Sequence, residues 1–164
     1  MEIRRIRPDE GLQFWAIRLR SLADSPAAFS STLAETESRP EAHWHDRALQ
    51  AAAGSQQTTY VAVEDDLWYG LLGAMFDREP PGTVVLYSMW VDPAKRGHGT
   101  GRALIETAAE WARSHGATRL ELSVTGRNDA AIALYTSTGF VRTDQTQPLP
   151  SVPSLGELLM ERLL

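Results

Sequence analysis

The sequence contains no cysteine among its 164 residues. Disulfide bonds, thiolate metal ligands and a cysteine nucleophile are therefore excluded. Any covalent catalysis by this chain has to use another nucleophile. The length fits one domain with its own core, and we expect residues 1–164 to form a single domain.

The sequence also lacks a cluster of lysine and arginine and any long apolar run. The formal net charge is −5, which argues against a nucleic-acid partner. No apolar stretch approaches the roughly 20 residues that a membrane span needs, and the first residues lack the apolar region of a signal peptide. We therefore expect a cytoplasmic protein that binds neither nucleic acid nor a membrane. His43 and His45 lie two apart on a predicted helix and point to different faces, so we expect no metal site.

The apolar periodicity predicts a mixed α/β architecture. We predict strands over residues 2–7, 58–64, 68–76, 83–91, 120–124, 140–146 and 158–164. We predict helices that begin at Pro8, Pro40, Arg102 and Asn128 and end near residues 23, 53, 115 and 137. A loop or broken helix rich in serine, proline and alanine joins the first two helices, and a proline-containing connection over 148–153 joins the last two strands.

Local signals add detail to the first two helices. The apolar face of the first helix is predicted from five residues at helical spacing, Leu12, Trp15, Ala16, Leu19 and Ala23. The second helix is predicted to start with a capping box formed by Ser38 and Glu41, and to end at Gly54.

The order of the strands predicts how the sheet is connected. Strands 58–64, 68–76 and 83–91 are joined by short turns and should form an antiparallel meander. A helix connects strand 83–91 to the strand that ends at Val124, and such strand–helix–strand units are parallel and right-handed. We therefore expect these two strands side by side in a mixed sheet with helices on both faces.

A glycine-rich loop, Arg96-Gly97-His98-Gly99-Thr100-Gly101, follows the buried strand and precedes a predicted helix. Glycines permit sharp turns and close approach to a ligand. The first N–H groups of a helix have no internal partner and the helix dipole is positive there, so a pyrophosphate fits this position. Lys95, Arg96 and Arg102 add positive charge. For the glycines alone, a flexible loop is an equally good interpretation.

Two other nucleotide-binding motifs fit this loop less well. A Rossmann fingerprint needs a glycine where Arg102 stands, and glycines directly after the strand, whereas five residues separate Val91 from Gly97. A Walker loop needs Gly-Lys-Ser/Thr, which is absent. An enzyme that uses NAD or ATP is therefore disfavoured.

Two spaced motifs make the chain similar to one family. Val91-Asp92-Pro93 followed by the glycine-rich loop resembles the main motif of the GNAT acetyltransferase superfamily, Arg/Gln-x-x-Gly-x-Gly/Ala after a strand that ends in Val-x-Pro. A second motif of that family is Asn-x-x-Ala-x-x-x-Tyr-x-x-x-Gly-Phe, and it is matched by Asn128, Ala131, Tyr135, Gly139 and Phe140. The chain is identified on these motifs as a member of the superfamily, and residues before about 58 are only generically similar.

The resemblance implies the GNAT-like acyl-CoA N-acyltransferase fold, β-α-α-β-β-β-α-β-α-β-β, with a splayed central pair of parallel strands. It implies acetyl-CoA as the acetyl donor and CoA as the product. The loop N–H groups would bind the pyrophosphate, and the backbone of Met89 and Val91 would pair with the pantetheine arm. The cofactor-binding residues implied in this way are Met89, Trp90, Val91, Arg96, Gly97, His98, Gly99, Thr100, Gly101, Arg102, Asn128, Ala131 and Tyr135.

The resemblance also implies direct acetyl transfer to a primary amine of a small molecule, a peptide or a protein. The Val91 N–H would stabilise negative charge on the carbonyl oxygen, and Tyr135 occupies the family's general-acid position. The base departs from the family pattern, because Ser123 stands where many relatives carry a glutamate. Ser123 could hold a water through which Glu121, on the same strand face, could act.

The sequence leaves the identity of the general base open. Asp77 and Glu79, near the start of strand 83–91, are weaker candidates for it. The missing glutamate also makes a second function plausible, a non-catalytic acyl-CoA-binding or sensor module of the same fold. The sequence does not identify the acceptor amine, and because dimers are common in the superfamily, a homodimer stays open.

Overall fold

The structure, a computed structural model, describes all residues from Met1 to Leu164. The strands are β1 (Glu2–Arg5), β2 (Gln57–Glu64), β3 (Leu67–Phe76), β4 (Thr83–Val91), β5 (Arg119–Thr125), β6 (Val141–Leu149) and β7 (Val152–Leu163). The helices are α1 (Gly11–Asp24), α2 (Leu33–Ser38), α3 (Glu41–Ala53), α4 (Thr100–Ser114) and α5 (Asp129–Ser137), with short 3₁₀ turns at Pro26–Ala28 and Pro93–Lys95. No helix combines the length and the apolar character needed to cross a membrane.

The strands form one mixed sheet in the order β1-β2-β3-β4-β5-β7-β6. Neighbouring strands are antiparallel, apart from β4 and β5, which run parallel. This arrangement confirms the predicted mixed α/β class, the antiparallel meander and the parallel central pair. The last hairpin places β7 rather than β6 beside β5, a pairing that the order of elements along the chain does not specify.

Two separate cores cover the two faces of the sheet. One core of 20 buried residues holds α4 and α5 against the central strands, with Leu104, Leu120 and Phe140 at its centre. The other, of 13 buried residues, holds α1 and α3 against β2 and β3, with Ile17 and Leu71 among its members. Because apolar burial is the main favourable term in folding, each helix is fixed to the sheet by its own apolar face.

The buried face of α1 differs from the predicted one. It consists of Gly11, Phe14, Ile17, Arg18, Ser21 and Leu22, whereas Leu12 of the predicted face is 47% exposed. The reason is that Arg18 and Ser21 interrupt the apolar stripe of the buried face, so spacing alone favoured the opposite side. A buried arginine and a buried serine on a core-facing helix therefore need their own explanation.

Two further boundaries are corrected. The capping box lies at α2, where the Thr32 hydroxyl accepts from the Glu35 N–H and the Glu35 carboxylate accepts from the Thr32 N–H. Helix α3 begins at Glu41, after Pro40, without a side-chain cap. The expected connection over 148–153 is mostly strand, because Pro148 pairs with Gly156 and Leu149 with Val152. Proline is tolerated there because β6 is an edge strand of the sheet.

A bulge in β4 shapes the centre of the sheet. Between Leu71 and Gly73 the pairing of β3 with β4 shifts by one residue, and Ser88 adopts a left-handed backbone conformation with φ of 56°. The pairing of β4 with β5 ends even earlier, at Val85 and Glu121. The two parallel strands therefore separate over the second half of β4, where polar groups of the backbone become available to a ligand.

Candidate active site

A cleft opens where β4 and β5 separate. Its volume is about 500 Å³, which is in the range of small-molecule and cofactor sites. The glycine-rich loop forms one end, α5 forms one side, and the segment around Phe29 forms another. The side chains that line the cleft include Phe29, Tyr87, Met89, Trp90, Val91, Arg96, Leu122, Ser123, Thr125, Asn128, Ala131, Leu134 and Tyr135.

The glycine-rich loop presents a row of free donors. Gly97 and Gly99 have φ of 79° and 83°, and a side chain at either position would meet no atom within 4 Å. None of the backbone N–H groups from Gly97 to Arg102 donates to the protein, and the first donor of α4 is Ala103, which bonds to the Gly99 carbonyl. Unpartnered N–H groups at the start of a 15-residue helix form a site suited to phosphate.

Gly101 allows the start of α4 to pack tightly against its neighbours. A Cβ there would lie 2.8 Å from Leu134 Cδ2 and 3.0 Å from Met89 Cε. The loop is therefore held close to both β4 and α5, which brings the phosphate site and the walls of the cleft together.

The three cations of the loop have partners within the protein. Arg96 donates through Nε to the Val91 carbonyl (2.8 Å) and through Nη2 to the Asp24 carboxylate (2.5 Å). Lys95 pairs with Glu64, and Arg102 donates to both oxygens of Ser137 at 3.1 Å. The sequence predicted that these cations reinforce an anion site, and the structure instead places Arg96 as a brace for the end of β4.

Asp24, at the end of α1, connects this helix to the end of β4. Its carboxylate accepts from Trp90 Nε1 at 2.9 Å and from Arg96, and we call Asp24, Trp90 and Arg96 the α1–β4 clasp. Hydrogen bonds from the Ser25 hydroxyl and then the Trp90 indole favour the ionised form and lower the pKa of Asp24. A second link runs in parallel, since Arg20 donates to Asp92 at 2.5 Å.

Tyr135 and Asn128 lie on the α5 side of the cleft. Asn128 caps α5, because its Oδ1 accepts from the Ala131 N–H at 3.2 Å. The Tyr135 ring is 7% exposed and packs edge-on against Phe140. Burial raises the pKa of Tyr135 above its ordinary value. Its hydroxyl has no hydrogen-bond partner in the protein, so it is available to a ligand in the cleft.

The structure places Ser123 and Glu121, the two residues predicted to form the general base with a water, in different surroundings. Ser123 lies in the wall of the cleft, but Glu121 does not, and the Glu121 carboxylate lies 3.6 Å from Arg119 Nε. Asp77 and Glu79 are exposed before the start of β4, at the end remote from the bulge. None of these three carboxylates is therefore placed beside Ser123.

A different carboxylate, Glu157, is connected to Ser123. Gln147 Nε2 donates to Glu157 Oε2 at 2.9 Å and lies 3.4 Å from Ser123 Oγ. Glu157 is 6% exposed and pairs across the sheet with Thr125, which lines the cleft. The sequence analysis missed it because the last strand was predicted to start at Leu158. The available signal was an acidic residue directly before the apolar run Leu158-Leu159-Met160.

No group of three or more His, Asp or Glu side chains has an arrangement that could hold a metal ion.

Comparison with known proteins gives a consistent family. The family model described as Acetyltransferase (GNAT) family matches residues 20–140. Mycothiol acetyltransferase from Beutenbergia cavernae is 34% identical over 126 residues, which make up 76% of this chain and 39% of that protein. N-alpha-acetyltransferase RimI from Mycobacterium tuberculosis is 32% identical over 117 residues, 71% of this chain and 61% of that protein. The chain thus spans less than two thirds of the length of either relative.

A solved structure supports the same architecture. The protein yncA from Salmonella typhimurium, whose structure contains its cofactor acetyl-CoA, matches with a TM-score of 0.81 and 22% identity over 100% of this chain and 94% of that chain. This likeness confirms the predicted fold.

The α1–β4 clasp predicts how stability depends on pH. The pKa of Asp24 is lowered in the folded protein. The contribution of Asp24 to the free energy of unfolding is therefore complete above the ordinary Asp pKa of about 3.9, and it is lost as the pH falls through the lowered pKa of the folded state. We expect Asp24→Asn to lower the free energy of unfolding at pH 7 by at most about 1 kcal/mol, since the carboxylate is near the surface. The difference from the wild type should shrink toward about pH 2, as measured by urea unfolding.

Asp144→Asn is the matched control, because Asp144 is exposed and makes no hydrogen bond. It should leave the unfolding curve unchanged. An equal loss of stability in both variants would contradict a specific role for the clasp.

Proposed function

Because the chain belongs to the acetyltransferase (GNAT) family, we propose that it moves an acetyl group directly from acetyl-CoA to a primary amine. The observation that carries this proposal is the row of unpartnered N–H groups from Gly97 to Arg102, which opens into the cleft between β4 and β5. An anionic group held at the loop and an extended arm along β4 would place the thioester beside Tyr135. GNAT acetyltransferases use acetyl-CoA.

The donor is bound mainly by backbone in this proposal. The N–H groups of the glycine-rich loop hold the pyrophosphate, since the nearby Arg96 and Arg102 side chains are already paired with the protein. Met89 and Val91 face β5 across the gap and offer their backbone groups to the pantetheine arm. Asn128 and Ala131 border the same arm from the start of α5.

At the reacting carbon, the amine nitrogen forms the new C–N bond as the C–S bond breaks. The Val91 N–H stabilises the charge that develops on the carbonyl oxygen. The leaving sulfur takes the electron pair of the C–S bond, and Tyr135 donates a proton to it. The amine gives up its own proton to a base.

Burial of Tyr135 bears on its role as the acid. The raised pKa keeps the phenol protonated at neutral pH, so it is always a donor. Transfer to a thiolate with an ordinary pKa of about 8.5 is uphill. The same dry surroundings raise the pKa of a thiolate held beside Tyr135 and reduce the difference.

We further propose Glu157 as the group that accepts the amine proton, through a water held at Ser123. The contacts of Gln147 with both side chains support this assignment. Glu121 is the alternative base, and its ion pair with Arg119 makes it the weaker one.

The acceptor is an amine of a small molecule or of a peptide. The names of the two relatives, a mycothiol acetyltransferase and an N-alpha-acetyltransferase, cover both kinds. The acceptor would reach the thioester from the side of the cleft formed by Phe29 and Tyr87, opposite α5.

The activity is tested with acetyl-CoA and a panel of amines. We expect saturating acetyl-CoA to raise the melting temperature, because a ligand specific for the folded state stabilises it. We also expect release of free CoA that depends on the amine. Stabilisation without any release of CoA would favour the non-catalytic binding module, and the absence of stabilisation would overturn the proposal.

Tyr135→Phe tests the acid. We expect turnover to fall at least about tenfold, with little change in acetyl-CoA affinity, because only the hydroxyl is lost. Tyr60→Phe is a control, since Tyr60 is a buried tyrosine of the same core that does not line the cleft. Unchanged turnover in Tyr135→Phe would remove this residue from the acid role.

Glu157→Gln tests the base. If Glu157 accepts the proton, kcat should fall by about 10²-fold or more, while acetyl-CoA affinity is kept. Glu121→Gln serves as the comparison and should keep the wild-type kcat. The opposite pattern would assign the base to Glu121.

A further inference from the structure

A second, smaller cavity lies beside the cleft, on the side of α1, α2 and α3. Its volume is about 130 Å³. Four of its lining residues are basic, Arg18, Arg39, His43 and Arg47, against one acidic residue, Glu35. The Glu35 carboxylate is already engaged by the Thr32 N–H at 2.8 Å. The cavity is therefore a region of positive charge in a chain whose net charge is −5.

Arg18 is the unusual member of this group. It is 4% exposed, and it forms no ion pair with any carboxylate. Its one side-chain hydrogen bond is a long contact of 3.5 Å from Nη1 to the Ser21 hydroxyl. Its other nitrogens are not among the enclosed polar atoms that lack a partner. They are open to the cavity that Arg18 lines.

The charge of Arg18 is present, and it is compensated only by the face of the Phe29 ring and by the long contact with Ser21, not by a carboxylate. Burial, followed by the nearby Arg47, lowers the pKa of Arg18 to about 10, so the guanidinium is still protonated at neutral pH. Burying an unpaired charge is costly, and such groups are normally paired or hydrogen-bonded. A ligand with a planar anionic group would supply the missing partner, because the guanidinium donates two parallel hydrogen bonds to a carboxylate.

The position of Arg18 connects this cavity to the reaction. The Arg18 Cζ lies 4.9 Å from the centre of the Phe29 ring, and Phe29 lines the cleft. Tyr87, which lines the cleft from β4, also lies close to the Arg18 guanidinium. An anion bound at Arg18 is therefore about one aromatic side chain away from the acceptor side of the cleft.

We propose that the second cavity binds a carboxylate of the amine acceptor, so that the acceptor is an amino acid whose reacting amine lies some distance from its carboxylate. This inference rests on the proposed acetyltransferase function. Arg18 holds the carboxylate, and the chain that joins it to the reacting amine runs beside the Phe29 ring. His43, whose pKa is lowered by burial and by the neighbouring Arg47 and Arg39, is neutral at pH 7 and lines the same cavity.

Matched pairs of amines test the proposal. Ornithine and lysine each carry a carboxylate, and putrescine and cadaverine keep the same chain and terminal amine without it. We expect kcat/KM for each amino acid to exceed that of its diamine by about tenfold or more, the value of one charged hydrogen-bonded contact. In the CoA-saturated protein, the amino acid should raise the melting temperature more than the diamine does.

Arg18→Met should bring the ratio of kcat/KM for each pair close to one and remove the difference in melting temperature. Methionine fills similar space, and replacing a buried unpaired charge by an apolar side chain is often tolerated. Stabilisation by acetyl-CoA shows that the variant is folded. Arg18→Lys keeps the charge but lacks the two-pronged donor, so its ratio should lie between those of wild type and Arg18→Met. Arg113→Met, an exposed change at the end of α4, should leave the ratio unchanged.

The outcomes separate this proposal from the proposed function. If acetyl-CoA does not bind to the protein and no amine causes release of CoA, the proposed acetyltransferase function itself is wrong. If both members of each pair are acetylated equally, or if Arg18→Met keeps the wild-type preference, the carboxylate site is wrong while the function stands. Phosphoethanolamine acetylated in preference to the amino acids would also overturn the assignment of a carboxylate.

Discussion

The separation of β4 from β5 is the constraint on which the rest of the structure depends. Two parallel strands in the middle of a sheet normally form backbone hydrogen bonds with each other along their whole length. The pairing of β4 with β5, however, ends at Val85 and Glu121. The bulge at Ser88 accompanies this separation, and a left-handed conformation at a residue other than glycine costs of order 1–3 kcal/mol. The packing of α4 and α5 on one face and of α1 and α3 on the other holds the gap open. The site is therefore a gap in the sheet whose edges are fixed by two separate cores.

The distribution of charge around this gap follows a clear division. Lys95, Arg96 and Arg102, which lie nearest the glycine-rich loop, are all paired with protein groups. The loop itself presents uncharged N–H groups, which are fixed by the backbone and suit an anion without any side-chain ordering. The one cation that is buried without a carboxylate is Arg18, on the other face of the sheet. The structure thus offers neutral donors on one side of the gap and an unpaired charge on the other.

The parts of the fold that sequence reasoning predicted well are those with strong local signals. The bounds of β4 were predicted to the residue, and the start of α4 within two residues, because a continuous apolar run and three closely spaced glycines mark them. The family motifs then placed Asn128 and Tyr135 in one cleft, where the structure has them. Sequence reasoning failed where a long-range contact decides the outcome. Arg18 and Ser21 lie on the buried face of α1 and interrupt its apolar stripe. Glu157 is connected to Ser123 through Gln147 only because β7 inserts between β5 and β6.

The α1–β4 clasp joins the helix that carries Arg18 to the end of the strand that borders the cleft. Asp24 ends the helix that carries Arg18, and Arg96 and Trp90 belong to the end of β4 and the start of the glycine-rich loop. A displacement of α1 would therefore be transmitted to the end of β4 along two routes, through Asp24 and Arg96 and through the Arg20–Asp92 pair. Thermodynamic linkage would make such a coupling reciprocal, so that a ligand held against α1 and a ligand held along β4 would change each other's affinity by the same factor.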